Sequence, residues 1–176
     1  MNDILKSAIL SIRNSKATFW KFVSPNDAGE TGGHQAGLYM PKDAISFMFE
    51  DAGIRGENKE KFVDIFWYNG AVSQARFIYY GQGTRNEYRI TRLGIKLVPN
   101  QIILLCKEGD KEYKGYLINE NNDKNLFLEL LNLSVLDSNS VLADEKIDSI
   151  DFDKILKTIE ISDGIKSEQL FFKLTF

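Results

Sequence analysis

The sequence is poor in the side chains that most reaction centres use. Of its 176 residues one is cysteine and one is histidine. A lone cysteine excludes a disulfide framework within the chain, and one histidine beside it cannot complete a Cys/His zinc site. Cys106 stands in the apolar run QIILLCKEG, where a buried, inert thiol is expected rather than a nucleophile. His34 has no partner that spacing identifies, so no Ser-His-Asp or Cys-His relay follows. Prolines number three. Without a Pro- or Gly/Ser-rich linker or an internal repeat, residues 1–176 read as one domain. Long apolar runs are also missing. The opening MNDILKSAILSIRNSK has a helical stripe but lacks the apolar core and cleavage site of a signal peptide. Nothing is expected to span a membrane, and a cytoplasmic location is expected.

What is present is enough for a core, since 43% of residues are hydrophobic and 12% aromatic, which excludes disorder for most of the length. The net charge of −3 argues at first against a polyanionic partner. That charge is uneven. Through Gly94 there are 12 Lys and Arg against 10 Asp and Glu, a balance of +2, and the remainder has 10 against 15, or −5. Screening confines each field to about 10 Å, so a local basic strip still attracts phosphates.

Ile4, Leu5, Ala8, Ile9 and Ile12 share one helical face, which predicts an amphipathic helix over residues 3–14. KATFWKFVS reads as a strand that breaks at Pro25 into the loop PNDAGETGGHQ. AGLYMPK resumes as a short strand, KDAISFMFED as a brief helix and DAGIRGENKE as a turn. FVDIFWYN, VSQARFIYY and EYRITR have strand length, with Asn69-Gly70 as a hairpin signal. QIILLCKEGDKEYKGYLI predicts a second hairpin, NENNDKNLFLELLNL a capped helix, and DSNSVLADEKIDSIDFDK a solvated connection to the helical DFDKILKTIE. SEQLFFKLTF is a candidate last strand. The sum is an α+β fold, a small, mostly antiparallel β-barrel with flanking helices.

The least ordinary stretch is GTRNEYRITRLG, residues 83–94. As a strand it places Arg85, Glu87, Arg89 and Thr91 on one face, with Asn86, Tyr88 and Ile90 on the other. Arginine can take guanine O6 and N7 together, and a carboxylate can accept from the cytosine amino group. A cross-strand ion-pair ladder fits the same pattern, so both readings stay open on pattern alone. The loop NDAGETGGHQ sets His34 and Gln35 where the chain re-enters a strand, and both can read bases. GETGGHQ lacks the Lys-Ser/Thr ending of a phosphate-binding P-loop. Asp110 with Glu112-Tyr113-Lys114 loosely fits a metal-dependent nuclease pattern. So do Glu57-Asn58-Lys59 and Asp144-Glu145-Lys146, as a charged chain produces by chance, and Asp110 lies too close to Glu112.

Two segments carry a resemblance. KFVSPNDAGETGGHQAGLYMPK and GTRNEYRITRLG, in that order, resemble the N-terminal effector domain of EcoRII-type restriction endonucleases. The shared features are ND-x-G-x-TGGHQ-x-G-x-Y-x-P, then YY followed by TRNE-x-RITR, and they cover roughly the first 95 residues. The length also suits the detached N-terminal part of a restriction enzyme that joins such a domain to a different nuclease module.

The resemblance implies a DNA-binding pseudobarrel whose two arms grip the major groove at 5′-CCWGG, W being A or T. Matched residue by residue, the first arm would hold Asn26, Asp27, His34 and Tyr39, with Gln35 beside them. The second would hold Arg85, Asn86, Glu87 and Arg89, with Tyr88, Arg92 and Lys21 as further DNA contacts. Where the family pattern has lysines, this chain has Gly83 and Tyr88, and Tyr88 is expected at most to donate to a phosphate. The implied role is noncatalytic, sequence-specific duplex binding within a type II, IIE-like restriction enzyme of a prokaryotic cytoplasm. Binding would need no metal. A nuclease domain of the same polypeptide, absent from this chain, would need Mg²⁺. The alternatives are a self-sufficient metal-dependent nuclease and a protein-interaction module within such an enzyme.

Overall fold

The N-terminal apolar stripe forms helix α1 (Asp3–Asn14), which buries Leu5, Ala8, Ile9 and Ile12 along one side. The computed structural model describes residues 3–31 and 37–161. Among the described residues eight strands follow α1: β1 (Ala17–Phe22), β2 (Leu38–Met40), β3 (Lys59–Trp67), β4 (Val72–Tyr80), β5 (Glu87–Thr91), β6 (Ile102–Lys107), β7 (Glu112–Ile118) and β8 (Ser140–Val141). They form one curled half-barrel sheet in the order β2-β5-β4-β3-β7-β6-β1-β8. Helices α2 (Ile45–Met48), α3 (Asn121–Leu130) and α4 (Asp144–Asp148) flank it, and residues 152–161 are also helical.

Strand alternation divides the side chains between two cores. The first fills the hollow of the sheet with Phe19, Leu38, Met40, Val63, Ile65, Ala75, Phe77, Tyr79, Tyr88, Ile90 and Tyr113, closed by Phe47 and Met48 of α2. The second lies behind β1, β6 and β7, where Trp20, Ile102, Leu104, Cys106 and Ile118 meet α1, Phe127 of α3, and Ile155 and Ile159. β6 is therefore covered on both faces, which explains its unbroken apolar run. The β2-β5-β4-β3 half differs. Its outer face carries the exposed Tyr39, Phe62, Phe66 and Val72, and among the described residues the second core does not extend over it.

The pseudobarrel and the mostly antiparallel sheet agree with the sequence reading. One pairing was not expected: β3 and β7 run parallel, with Asp64 beside Glu112 and Phe66 beside Lys114. No hairpin signal can announce such a pair, because its strands are separated by three others in the chain. The acidic connection is also more structured than expected. It contains a 3-10 turn (Val135–Asp137), β8 and α4, and Val141 of β8 pairs with Phe19. The expected cap on α3 is lacking, since Glu120 at its N-cap makes no side-chain bond to the helix. The candidate strand SEQLFFKLTF lies outside the described residues.

Cys106 is fully buried, and burial pushes its thiol up to about 12. It is expected to resist a thiol-modifying reagent in the native protein and to react only on unfolding. Rapid labelling without unfolding would contradict its place in the second core.

Candidate nucleic-acid interface

β2 is a strand of 3 residues at the sheet edge, and the loop after β1 secures it. That loop turns tightly, with Ala28 N–H donating to the Ser24 carbonyl and Glu30 N–H to that of Pro25. Asp27 sits inside the turn. Its Oδ2 accepts from Ser24 N–H at 3.0 Å and Ser24 Oγ at 2.6 Å, and its Oδ1 accepts from Tyr39 N–H at 2.9 Å. Lys21 Nζ lies 2.7 Å from Asp27 Oδ2 and donates to the Tyr39 carbonyl at 3.3 Å. Both main-chain groups of Tyr39 are thus satisfied by one ion pair, at an edge where water or another strand would otherwise take them. Burial alone would raise the Asp27 carboxyl, but the bonds from Lys21, Ser24 and Tyr39 N–H outweigh it and hold the group below its ordinary value.

The β4–β5 turn is fastened by a different device. The Tyr79 ring occupies the space a Cβ would need at Gly53 and at Gly81, drawing the segment before β3 against the turn. Gly56 N–H donates to the Gly81 carbonyl at 2.8 Å, and Asn58 Oδ1 accepts from Gly81 N–H at 3.1 Å and Gln82 N–H at 3.3 Å. Tyr79 Oη donates to Asn86 Oδ1 at 3.0 Å, so Asn86 is oriented though exposed. Gly83 adopts φ +64, which allows the reversal. Arg85 extends beyond the turn with its guanidinium 5.1 Å from the Tyr80 ring centroid.

Glu87 and Arg89 share the outer face of β5, with Tyr39 of β2 directly opposite Arg89. Arg89 Nη2 donates to Glu87 Oε2 at 3.3 Å, and Nη1 donates to the Gly37 carbonyl of the first arm at 3.4 Å. This modifies the expected outward row. Arg89 is 4% exposed, drawn down between the two arms instead of standing in water. Glu87 Oε1 is buried and has no hydrogen-bond partner among the described residues, which leaves one acceptor unsatisfied at the junction.

The other candidates fall into three groups. Asn26 lies on the first arm, its Oδ1 accepting from Thr31 Oγ1 at 2.9 Å, and Arg92 is exposed at the far end of β5 with its guanidinium 5.5 Å from the Phe62 ring centroid. Lys21, Asp27 and Tyr88 face inward. The phosphate contact suggested for Tyr88 does not suit its position: it is 3% exposed, 4.7 Å from the Tyr79 ring centroid, and its Oη accepts from Gly53 N–H at 2.8 Å. It supports the turn from within, because its strand position faces the first core. His34 and Gln35 lie outside the described residues. Sequence reasoning missed the contributions of Tyr79, Asn58 and Gly53. Their signal was faint, a glycine in a polar turn and a second tyrosine in a strand.

The parallel β3–β7 pair brings Asp64 beside Glu112, closer to a nuclease arrangement than Asp110. Lys114 does not stand ready as a catalytic amine. Its Nζ is 2.6 Å from Glu108 Oε1, and that bond raises its pKa. Among the described residues no group of three or more His, Cys, Asp or Glu side chains is placed to hold a metal ion.

Comparison with known proteins bears on the same segments of the chain. The sequence model of a family described as "Restriction endonuclease EcoRII, N-terminal" matches residues 13–102, the part that builds both arms. The type II restriction enzyme EcoRII of Escherichia coli is 40% identical over 79 residues, a segment covering 41% of this chain and 20% of that enzyme. Among the described residues no helix is long and apolar enough to cross a membrane.

Asp27→Asn is expected to destabilise the fold by about 3–5 kcal/mol at neutral pH, because it leaves Lys21 buried without its counter-charge. The lowered Asp27 pKa adds a pH signature. Its stabilisation is complete above the ordinary value of 3.8 and is lost as pH falls through the lower folded value. Denaturant titrations from neutral pH into strong acid should show that acid limb in the wild type and a smaller one in the variant.

Proposed function

Because this chain belongs to the EcoRII N-terminal family of restriction endonucleases, we propose that it is a sequence-specific duplex-DNA-binding domain. Its role is to hold a copy of the 5′-CCWGG site as an effector or anchor, while a nuclease module elsewhere in the enzyme cuts another. The segment aligned with EcoRII spans a fifth of that enzyme's length, 20%, so the division of labour is part of the proposal.

The observation that carries it is the Glu87–Arg89 pair at the junction of the arms. An unpaired carboxylate oxygen beside a guanidinium, both drawn in between the arms, would supply an acceptor for the cytosine amino group and donors for guanine O6 and N7 once the arms part around a base edge. Two of the bonds on Arg89 are long, at 3.3 and 3.4 Å, and a base edge would have to replace them. The clamped turn presents Arg85 and Asn86 beside this pair, so less freedom is lost on binding. Residues on one face of a strand are two apart and advance about 6.6 Å, close to two base-pair steps, which lets Glu87 and Arg89 address bases two steps apart.

Arg85→Ala and Glu87→Ala should each weaken binding to a CCWGG duplex by about 1–3 kcal/mol and affect a scrambled duplex much less, as read by titration at fixed salt. Equal losses on both duplexes would reduce these residues to phosphate contacts. Wild-type protein with no preference between the duplexes would favour a protein-interaction role. Binding should persist with a chelator present. Incubation with Mg²⁺ should leave the duplex intact, and specific cutting abolished by Glu112→Ala would instead make the chain a nuclease.

A further inference from the structure

At the end of β5 opposite the clamped turn, a cleft of about 210 Å³ lies between the root of the first arm, at Asp27, Ala28 and Gly37, and the segment Arg92–Leu97. Resting on the DNA-binding reading above, we propose that this cleft seats a backbone phosphodiester flanking the recognition site, held by Arg92 and Lys96. Lys96 lies outside both arms.

Charge favours an anion here. Arg92 and Lys96 line the cleft, are exposed, and have no acidic partner within 4.0 Å among the described residues. The carboxylate in the cleft wall opposes them little. The Asp27 side chain is 0% exposed and already bonded to Lys21, Ser24 and Tyr39 N–H. Two other acids on this face are also paired, Glu87 with Arg89 and Glu60 with Arg76.

The backbone points the same way. The chain leaves β5 through Arg92 at φ +56 and Gly94 at φ +67, and this reversal brings residues 92 and 96 to one cleft. Glycine would hold the conformation at position 92 freely, whereas an L side chain there is strained by about 1–2 kcal/mol. The strained position carries a cation that rests on the Phe62 ring at the outer surface.

Position decides which part of DNA arrives. Glu87 to Thr91 makes four strand steps, roughly 13 Å. The major groove is about 12 Å wide. If residues 85–89 meet base edges, residue 92 and its neighbour across the cleft lie over the groove rim, where the phosphates run. A lysine there acts as a point charge, a contact that sets register without reading sequence.

The test uses CCWGG duplexes, each with one neutral methylphosphonate at a different flanking backbone position, bound by wild type, Lys96→Gln and Arg92→Gly. Glycine at 92 removes the cation while relieving the backbone, so an unchanged or raised melting temperature separates lost binding from lost folding. One or two methylphosphonate positions should cost wild type several-fold in affinity and cost the variants little or nothing further. The slope of log K against log salt should become shallower by about 0.9 for each cation removed, with the cognate-to-scrambled ratio unchanged. Specific wild-type binding in which every methylphosphonate costs the variants as much as wild type would overturn the seat alone. No duplex preference in wild type would overturn the DNA-binding reading and the seat with it.

Discussion

The contact between Lys21 and Asp27, 2.7 Å apart with side chains 9% and 0% exposed, holds the first arm to the sheet. A strand of 3 residues at an edge cannot secure itself, because its pairing with β5 offers few ladder bonds. The ion pair supplies what β2 lacks by satisfying the N–H and C=O of Tyr39 from the open side. Taking two charges out of water is costly, and the bonds from Ser24 and Tyr39 to the carboxylate offset that cost. Gly37 then lies where its carbonyl can accept from Arg89, so the first arm's attachment also determines where the second arm's guanidinium rests.

The β4–β5 turn has a different kind of support, one that would hold side chains near their bound positions if it reads base edges as proposed. Tyr79 and Tyr88 provide it from the core side, one filling the space beside Gly53 and Gly81, the other accepting from Gly53 N–H. Asn58 completes the clamp from the segment before β3. Supporting residues and presenting residues alternate along β5, since successive side chains point to opposite faces. Tyr88 therefore supports the strand whose outer face carries Glu87 and Arg89.

Electrostatics links the two ends of this face. A net charge of −3 disfavours general attraction to a polyanion, but the acids nearest the row are already paired. Arg85 at one end and Arg92 with Lys96 at the other form no ion pair among the described residues, while Glu87 keeps one unsatisfied, buried oxygen between them. Cations at the flanks and an acceptor within suit a groove whose rims are phosphates and whose floor bears mixed donors and acceptors.

Local pattern was enough to identify α1 from its apolar spacing, the β3–β4 hairpin from Asn69-Gly70 with Gly70 at φ +86, and buried Cys106 from its apolar run. It also placed Glu87 and Arg89 on one face, and the family motifs lay in the residues that build both arms. These features depend on neighbours within a few positions, which a linear sequence records directly. How deeply Arg89 sinks, why Tyr88 turns into the core, and how Lys96 comes to stand beside Arg92 depend on contacts between distant segments. The parallel β3–β7 pairing, the Gly53–Tyr79 fit and the left-handed exit at Arg92 arise only when the sheet curls and its edge strand is fastened, so they belong to the folded chain alone.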